Sequence, residues 1–208
     1  GSESSCASGL ERLQRLARTP WTRHFSNRLG LSPLEMGRLP ADTEVLPCTE
    51  TLLQDRPEHL HPRNKTEYPA ELGIKMDVPH YLYNRGELYN LSIERGTLTA
   101  EDRFKINEHI ISTIRMLEAL PLPPELSRVP RYASTHHETL IGTGYPRKLT
   151  AADLSVPERI MILADVFEAL TAADRPYKSA KPVSEAITIL AKMVARQHVD
   201  ADVFELFL

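Results

Sequence analysis

The sequence predicts an all-α fold: a helical bundle with an irregular, proline-rich N-terminal excursion. Three observations predict it. Four segments after residue 98 carry apolar residues at helical spacing. No segment reads convincingly as strand. Pro40, Pro47, Pro57, Pro62, Pro69 and Pro79 punctuate residues 40–80, with charges between them. With 208 residues, 41% of them hydrophobic, the chain can build a packed core.

The N-terminal stretch "ERLQRLARTPWTRHFSNRL" holds helical periodicity, interrupted at Pro20. "GLSPLEMGRL" adds a second helical piece. Residues 40–80 then form the excursion, of a length that compact domains rarely carry without a reason. The first long helix covers "TAEDRFKINEHIISTIRMLEAL", Thr99 to Leu120. Thr99 caps it, and Glu101 and Asp102 suit the positive end of the helix dipole. Ile106, Ile110, Leu117 and Leu120 share one face, with His109 beside Met116 and Leu120. "PRYASTHHE" predicts a short second helix with Pro130 in its first turn, so His136 and His137 end a helix. "SVPERIMILADVFEALTAA" is the third, opened by a Ser155–Glu158 capping box and Pro157. It is apolar nearly all round, which predicts a central position. A fourth covers Ser184 to Arg196, and a short last helix follows Asp200.

The formal net charge of −3 gives no basis for a DNA or RNA surface. Cys6 and Cys48 show no metal or redox spacing. No apolar run approaches the about 20 residues needed to span a bilayer, and no signal peptide opens the chain. These features lead to a cytoplasmic expectation, without membrane association. Gly1-Ser2 reads as a vector scar. Residues 3–85 form a divergent N-terminal part and residues 86–208 the helical core, read as one domain from a longer chain.

Asp165 interrupts the apolar run "IMILADVF", and an unpaired buried carboxylate is costly. It therefore needs a metal, a cation or strong donors, and Arg175 is the alternative to a metal. His24, His59, His61 and His198 sit in polar or irregular settings. His109 alone reads as a core histidine, and His136-His137 as a polar helix end. Taken with Asp165, these three histidines make a donor set that suits a transition metal. Gly142, Gly144 and Pro146 allow a tight loop that presents Tyr145 at its tip. "DRPYKSAK" adds Arg175, Lys178 and Lys181, which suit phosphate recognition or simply a solvated turn.

Four stretches, "GTLTAEDRFKINEH", "HHETLIGTGYPR", "ILADVFEALTAADRPYK" and "HVDADVFELFL", together resemble the HD-GYP family. This family comprises metal-dependent cyclic-di-GMP phosphodiesterases within the HD-domain superfamily. The resemblance covers about residues 86–208. It is weaker in "RHFSNRLGLSPLEMGRL", which matches a helix pair that precedes the family's His-Asp dipeptide. It implies an HD-domain-like helical bundle around iron or manganese, with metal-bound hydroxide attacking a phosphodiester. By motif, His109, His136, His137 and Asp165 take metal positions. Tyr145, Arg175 and Lys178 take substrate positions. Gly142, Gly144, Tyr145 and Pro146 form the loop that would meet a diguanylate cyclase (GGDEF) domain.

The chain also departs from the family pattern. No His-Asp dipeptide occurs in the 208 residues, and Ile141 stands where the motif HHExxDGxGYP has aspartate. Counting back from "GTLT" places the dipeptide near His80-Tyr81, and counting forward from "GLSPLEMGRL" near Leu46-Pro47. Tyr83-Asn84 and Tyr89-Asn90 are further candidates for its place. The bridging carboxylate of a multi-metal site is therefore missing, unless His59, His61 or His80 supplies ligands. The expectation is one divalent transition metal, iron or manganese, or none. Function then reads as a degenerate, regulatory HD-GYP module that binds a partner or cyclic-di-GMP, with weak or no hydrolysis. The alternatives are an active phosphodiesterase and a plain helical scaffold. No residue is assigned as catalytic.

Overall fold

The computed structural model describes residues 2–41, 45–64, 68–94, 96–173 and 180–208. The chain divides into two compact units, Gly1–Thr66 with Pro79–Lys105, and Glu67–Val78 with Ile106–Leu208.

The first unit holds helices α1 (Ser2–Ala17), α2 (Pro33–Met36) and α3 (Glu87–Leu91), and most of α4 (Ala100–Asn107). Its strands are β1 (Pro20–Arg23), β2 (Cys48–Thr51), β3 (Leu60–Pro62) and β4 (Tyr81–Asn84). The fold is thus mostly helical, as expected, but not purely so. Antiparallel β1–β2 pairs Pro20 with Thr51 and Arg23 with Cys48, and β3–β4 pairs Leu60 with Asn84. Pro20 therefore opens an edge strand instead of interrupting a helix, a position where a missing N–H is tolerated. The excursion read as irregular supplies two of the four strands, β2 and β3, and β4 follows directly after it. Each ladder has only two strands, too short for alternation to show in the sequence. A buried Arg23 ion-paired to Glu50 ties the first ladder together. Ser32 and Glu35 form a reciprocal capping box on α2, and Thr99 Oγ1 accepts from the Asp102 N–H at 3.1 Å to cap α4. Buried Glu101 accepts from the Tyr89 hydroxyl at 2.9 Å.

The second unit contains α5 (His109–Glu118), α6 (Val129–Ala133), α7 (Val156–Thr171), α8 (Val183–Ala195) and α9 (Ala201–Phe207). One core gathers Leu154, Ile162, Leu163, Leu190, Val199 and Phe204 where α7, α8 and α9 meet. A second gathers Leu72, Ile110, Ile111 and Ile114, with Tyr68, Ile74, Met76 and Tyr145 packed on it. Asp200 caps α9 by accepting from the Val203 N–H at 3.0 Å, and it pairs with Arg159 of α7 at 2.7 Å. The capping box on α7 is as expected: Glu158 Oε2 accepts from the Ser155 N–H at 2.7 Å.

Three local expectations need correction. The helix read from Thr99 to Leu120 breaks at Glu108, so His109 opens a new helix. The break rotates the buried face to Ile110, Ile111 and Ile114 and leaves Ile106, Met116 and Leu120 exposed. Helix α6 stops at Ala133, one turn before the histidine pair. Finally, α7 is not buried all round: Ile162 and Leu163 are buried, whereas Val156, Ile160 and Met161 are exposed.

Candidate metal centre

The breaks before His109 and after Ala133 place three imidazoles together. The ligand nitrogens of His109, His136 and His137 all lie within 4.8 Å of one another, the one such group of three or more ligand-type residues among the described residues. His109 gains its position as the first residue of α5. Its Nδ1–H donates to the Ile106 carbonyl at 2.7 Å. His136 Nδ1–H donates likewise to the Ala133 carbonyl at 2.7 Å, closing the turn after α6. A carbonyl can only accept, so both tautomers are fixed with the Nε2 lone pair free. His137 presents Nδ1 to Asp165 Oδ2 at 3.4 Å and Nε2 to His109 Nε2 at 3.3 Å. Two imidazole lone pairs facing each other at this distance repel unless a proton or a cation lies between them.

This arrangement fits a metal ion. Ligating histidines characteristically donate their second nitrogen to a carbonyl or carboxylate, which fixes the ring and raises its basicity. Burial, reinforced by neighbouring His137, lowers the His136 pKa and keeps it a neutral ligand at neutral pH. Asp165 is half-exposed rather than buried, and its Oδ2 lies 3.4 Å from the outer nitrogen of His137. The geometry thus gives Asp165 a place from which it can orient His137.

Tyr145 is not presented at a loop tip. It is half-buried, its ring lies 4.7 Å from the His137 ring at 31°, and its N–H donates to the His137 carbonyl at 3.1 Å. Burial, with Asp165 nearby, pushes its phenol up to about 12, so it stays protonated at neutral pH. The exposed loop positions are Ile141 and Thr143, while Gly144 and Pro146 are buried. Arg175 and Lys178 lie outside the described residues. His59 and His61 belong to the first unit. There His59 Nδ1 accepts from the Arg56 N–H at 3.2 Å, and both His61 ring nitrogens lie against Arg38.

Sequence reasoning overlooked Glu138. It is 2% exposed and accepts from the Arg147 N–H at 2.7 Å through Oε1 and the Leu149 N–H at 2.9 Å through Oε2. Arg147 in turn donates to the Leu72 carbonyl and to Ser134 Oγ, each at 2.9 Å. Burial raises the Glu138 pKa against these donors. Glu138 therefore clamps the far side of the loop directly after the histidine pair. The available signal was an acid adjoining a histidine pair and preceding a glycine loop.

Histidines from two segments, the start of α5 and the turn after α6, thus converge in a helical unit, and comparison with known proteins gives its family. The HD domain family matches residues 47–203, and the chain belongs to it, with the GYP motif of its HD-GYP group. A 3′3′-cGAMP-specific phosphodiesterase 1 of Vibrio cholerae is 31% identical over 144 residues, 65% of this chain and 32% of that protein. A cyclic di-GMP phosphodiesterase of Pseudomonas aeruginosa is 40% identical over 133 residues, 64% of this chain and 29% of that protein. A cyclic di-GMP phosphodiesterase of Thermotoga maritima is 32% identical over 116 residues, 56% and 31% of the respective chains. The chain thus spans about a third of the length of these relatives. Among the described residues no helix is long and apolar enough to cross a membrane.

Proposed function

We propose that this chain is an HD-GYP module of cyclic-dinucleotide signalling that holds one divalent metal and has weak or no phosphodiesterase activity. The observation that carries the metal is the convergence of the His109, His136 and His137 ligand nitrogens. The cyclic-dinucleotide class comes from the relatives, whose names specify cyclic di-GMP or 3′3′-cGAMP. A bound divalent ion, iron or manganese by family resemblance, supplies Lewis acidity and lowers the pKa of a bound water. The three histidines would hold it, Asp165 would orient His137, and the protonated Tyr145 ring would pack over His137. The reduced activity rests on the missing His-Asp dipeptide. Without that carboxylate, no recognised ligand set clamps both the attacking and the leaving oxygen.

The second reading, an active phosphodiesterase, is favoured by the same convergence and by the enzymatic relatives. A regulatory partner such as a GGDEF domain would meet the loop at Ile141 and Thr143, its exposed positions. The test is turnover of cyclic di-GMP and 3′3′-cGAMP with Mn(II) or Fe(II), alongside binding of each nucleotide. The proposal expects metal-dependent binding with little or no hydrolysis. Sustained turnover abolished by His136→Ala would establish the second reading instead.

A further inference from the structure

The first unit contains a concavity of about 230 Å³ lined by Asn27, Glu35, Arg38, Arg56, His61 and Arg85, among others. At its floor lies His61, 8% exposed. Arg38 Nη1 stands 2.9 and 3.2 Å from the two ring nitrogens of His61. A guanidinium has no acceptor, so this contact requires a neutral imidazole.

The charges around it do not cancel. Arg56 shares Glu50 with Arg23 and faces Glu58 at 3.9 Å. Glu35 is engaged by the capping box, with Oε2 accepting from the Ser32 N–H at 2.9 Å and from Ser32 Oγ at 2.7 Å. Arg38 and Arg85 are different. Among the described residues neither stands within ion-pair distance of a carboxylate, although both act on Glu35 through space: Arg38 faces His61, and the Arg85 guanidinium lies 5.9 Å from the Tyr83 ring centroid. Two guanidiniums therefore face one neutral imidazole in a donor-rich hollow, with the Asn27 amide at its wall.

We propose that this hollow is a binding site for a single phosphate group, recognised by Arg38 and Arg85. Arginine forks match the tetrahedral oxyanion with paired charge-assisted hydrogen bonds. The volume suits one phosphate and is below the range of sites that enclose a drug-sized ligand, so a whole cyclic dinucleotide does not fit inside. The site is independent of the metal histidines, and its ligand is inorganic phosphate or the terminal phosphate of a nucleoside monophosphate. The electrostatics agree. Burial lowers the His61 pKa most, followed by Arg38 and Arg85, with His59 also lowering it and Glu35 opposing. A bound anion would screen both arginines and raise it.

The test follows the imidazole resonances of the full chain, ¹⁵N-labelled at histidine, during titration with inorganic phosphate at constant ionic strength. A parallel titration uses GMP. The His61 signal should shift saturably, and its titration midpoint should rise. Arg38→Gln and Arg85→Gln should each weaken binding about tenfold, the effect of losing a charge-assisted contact. Equal affinity for phosphate and GMP assigns the site to free phosphate; tighter GMP binding assigns it to the monoester. Among the described residues the Arg85 side chain makes no hydrogen bond, so its variant keeps the test informative if Arg38→Gln perturbs folding. Drift without saturation up to about 20 mM phosphate, where a millimolar site would be filled, overturns the proposal. So does undiminished binding in the double variant.

Discussion

His137 is held by three neighbours with different chemistry. Asp165 lies at its Nδ1, His109 at its Nε2, and the Tyr145 ring lies over its face. If the histidines are ligands, removing one should lower metal affinity by orders of magnitude. Asp165→Asn should lower it about 10- to 100-fold, the usual cost of losing an outer partner. Isothermal titration of the metal-free protein with Mn(II) measures both, and equal affinities in wild type and Asp165→Asn would remove Asp165 from the site. Glu138 gives a sharper case. Its two oxygens each accept one N–H, so Glu138→Gln leaves an amide N–H₂ facing a backbone donor. That near-isosteric change should cost about 1–3 kcal/mol, which denaturant unfolding would detect. His109, His136 and His137 were legible from the sequence as a donor set, together with Asp165. Their contacts were not, because a ring's outer hydrogen bond depends on where each helix stops.

The site depends on where elements end. α5 begins at His109 and α6 ends at Ala133, and both imidazoles donate back to a carbonyl three residues earlier. An unbroken helix through His109 would keep that carbonyl for its own i+4 partner. Periodicity could not reveal the break, since apolar residues fall on helical spacing on either side of Glu108. The loop is tied as tightly as the helix ends. A Cβ on Gly144 would stand 2.4 Å from Glu138 Cα and 2.6 Å from the His137 carbonyl oxygen. Gly144→Ala must therefore push the loop away from its clamp, and it should destabilise by about 1–3 kcal/mol or more. It should also disturb the Tyr145–His137 stacking, visible as a changed His137 ring shift; an unchanged melting temperature would contradict this packing. α7, α8 and α9 were readable because capping box, spacing and the Asp200 cap agree. β1 to β4 were not, because two-stranded ladders of three or four residues leave no periodic trace.

At the scale of the whole molecule, buried His61 and half-buried His136 contribute to the pH response of the metal-free protein. Burial lowers the folded-state pKa of both His61 and His136. The unfolded chain therefore takes up protons first as pH falls below about 6.5. Stability is fully present above that value and is lost as pH falls toward the lowered folded values. Glu138, with a raised pKa, acts in the opposite direction, and as pH falls its window runs from the raised folded value down to the ordinary carboxyl value of 4.5. Melting temperatures from pH 8 to 5 should fall below about 6.5, and His61→Gln should flatten the slope. A slope unaltered by that substitution would mean His61 is not held neutral. The helical second unit and its donor set could be read from motifs. The division into two units could not, because residues 67–78 join the second unit from within a stretch that reads as part of the first. The central claim is that three histidines form a single-metal site. Metal content per chain after loading with Mn(II), compared with His109→Ala, His136→Ala and His137→Ala, tests it most directly. One metal per chain, lost in each variant, is the predicted result. Two metals per chain, or one that survives all three substitutions, would contradict it.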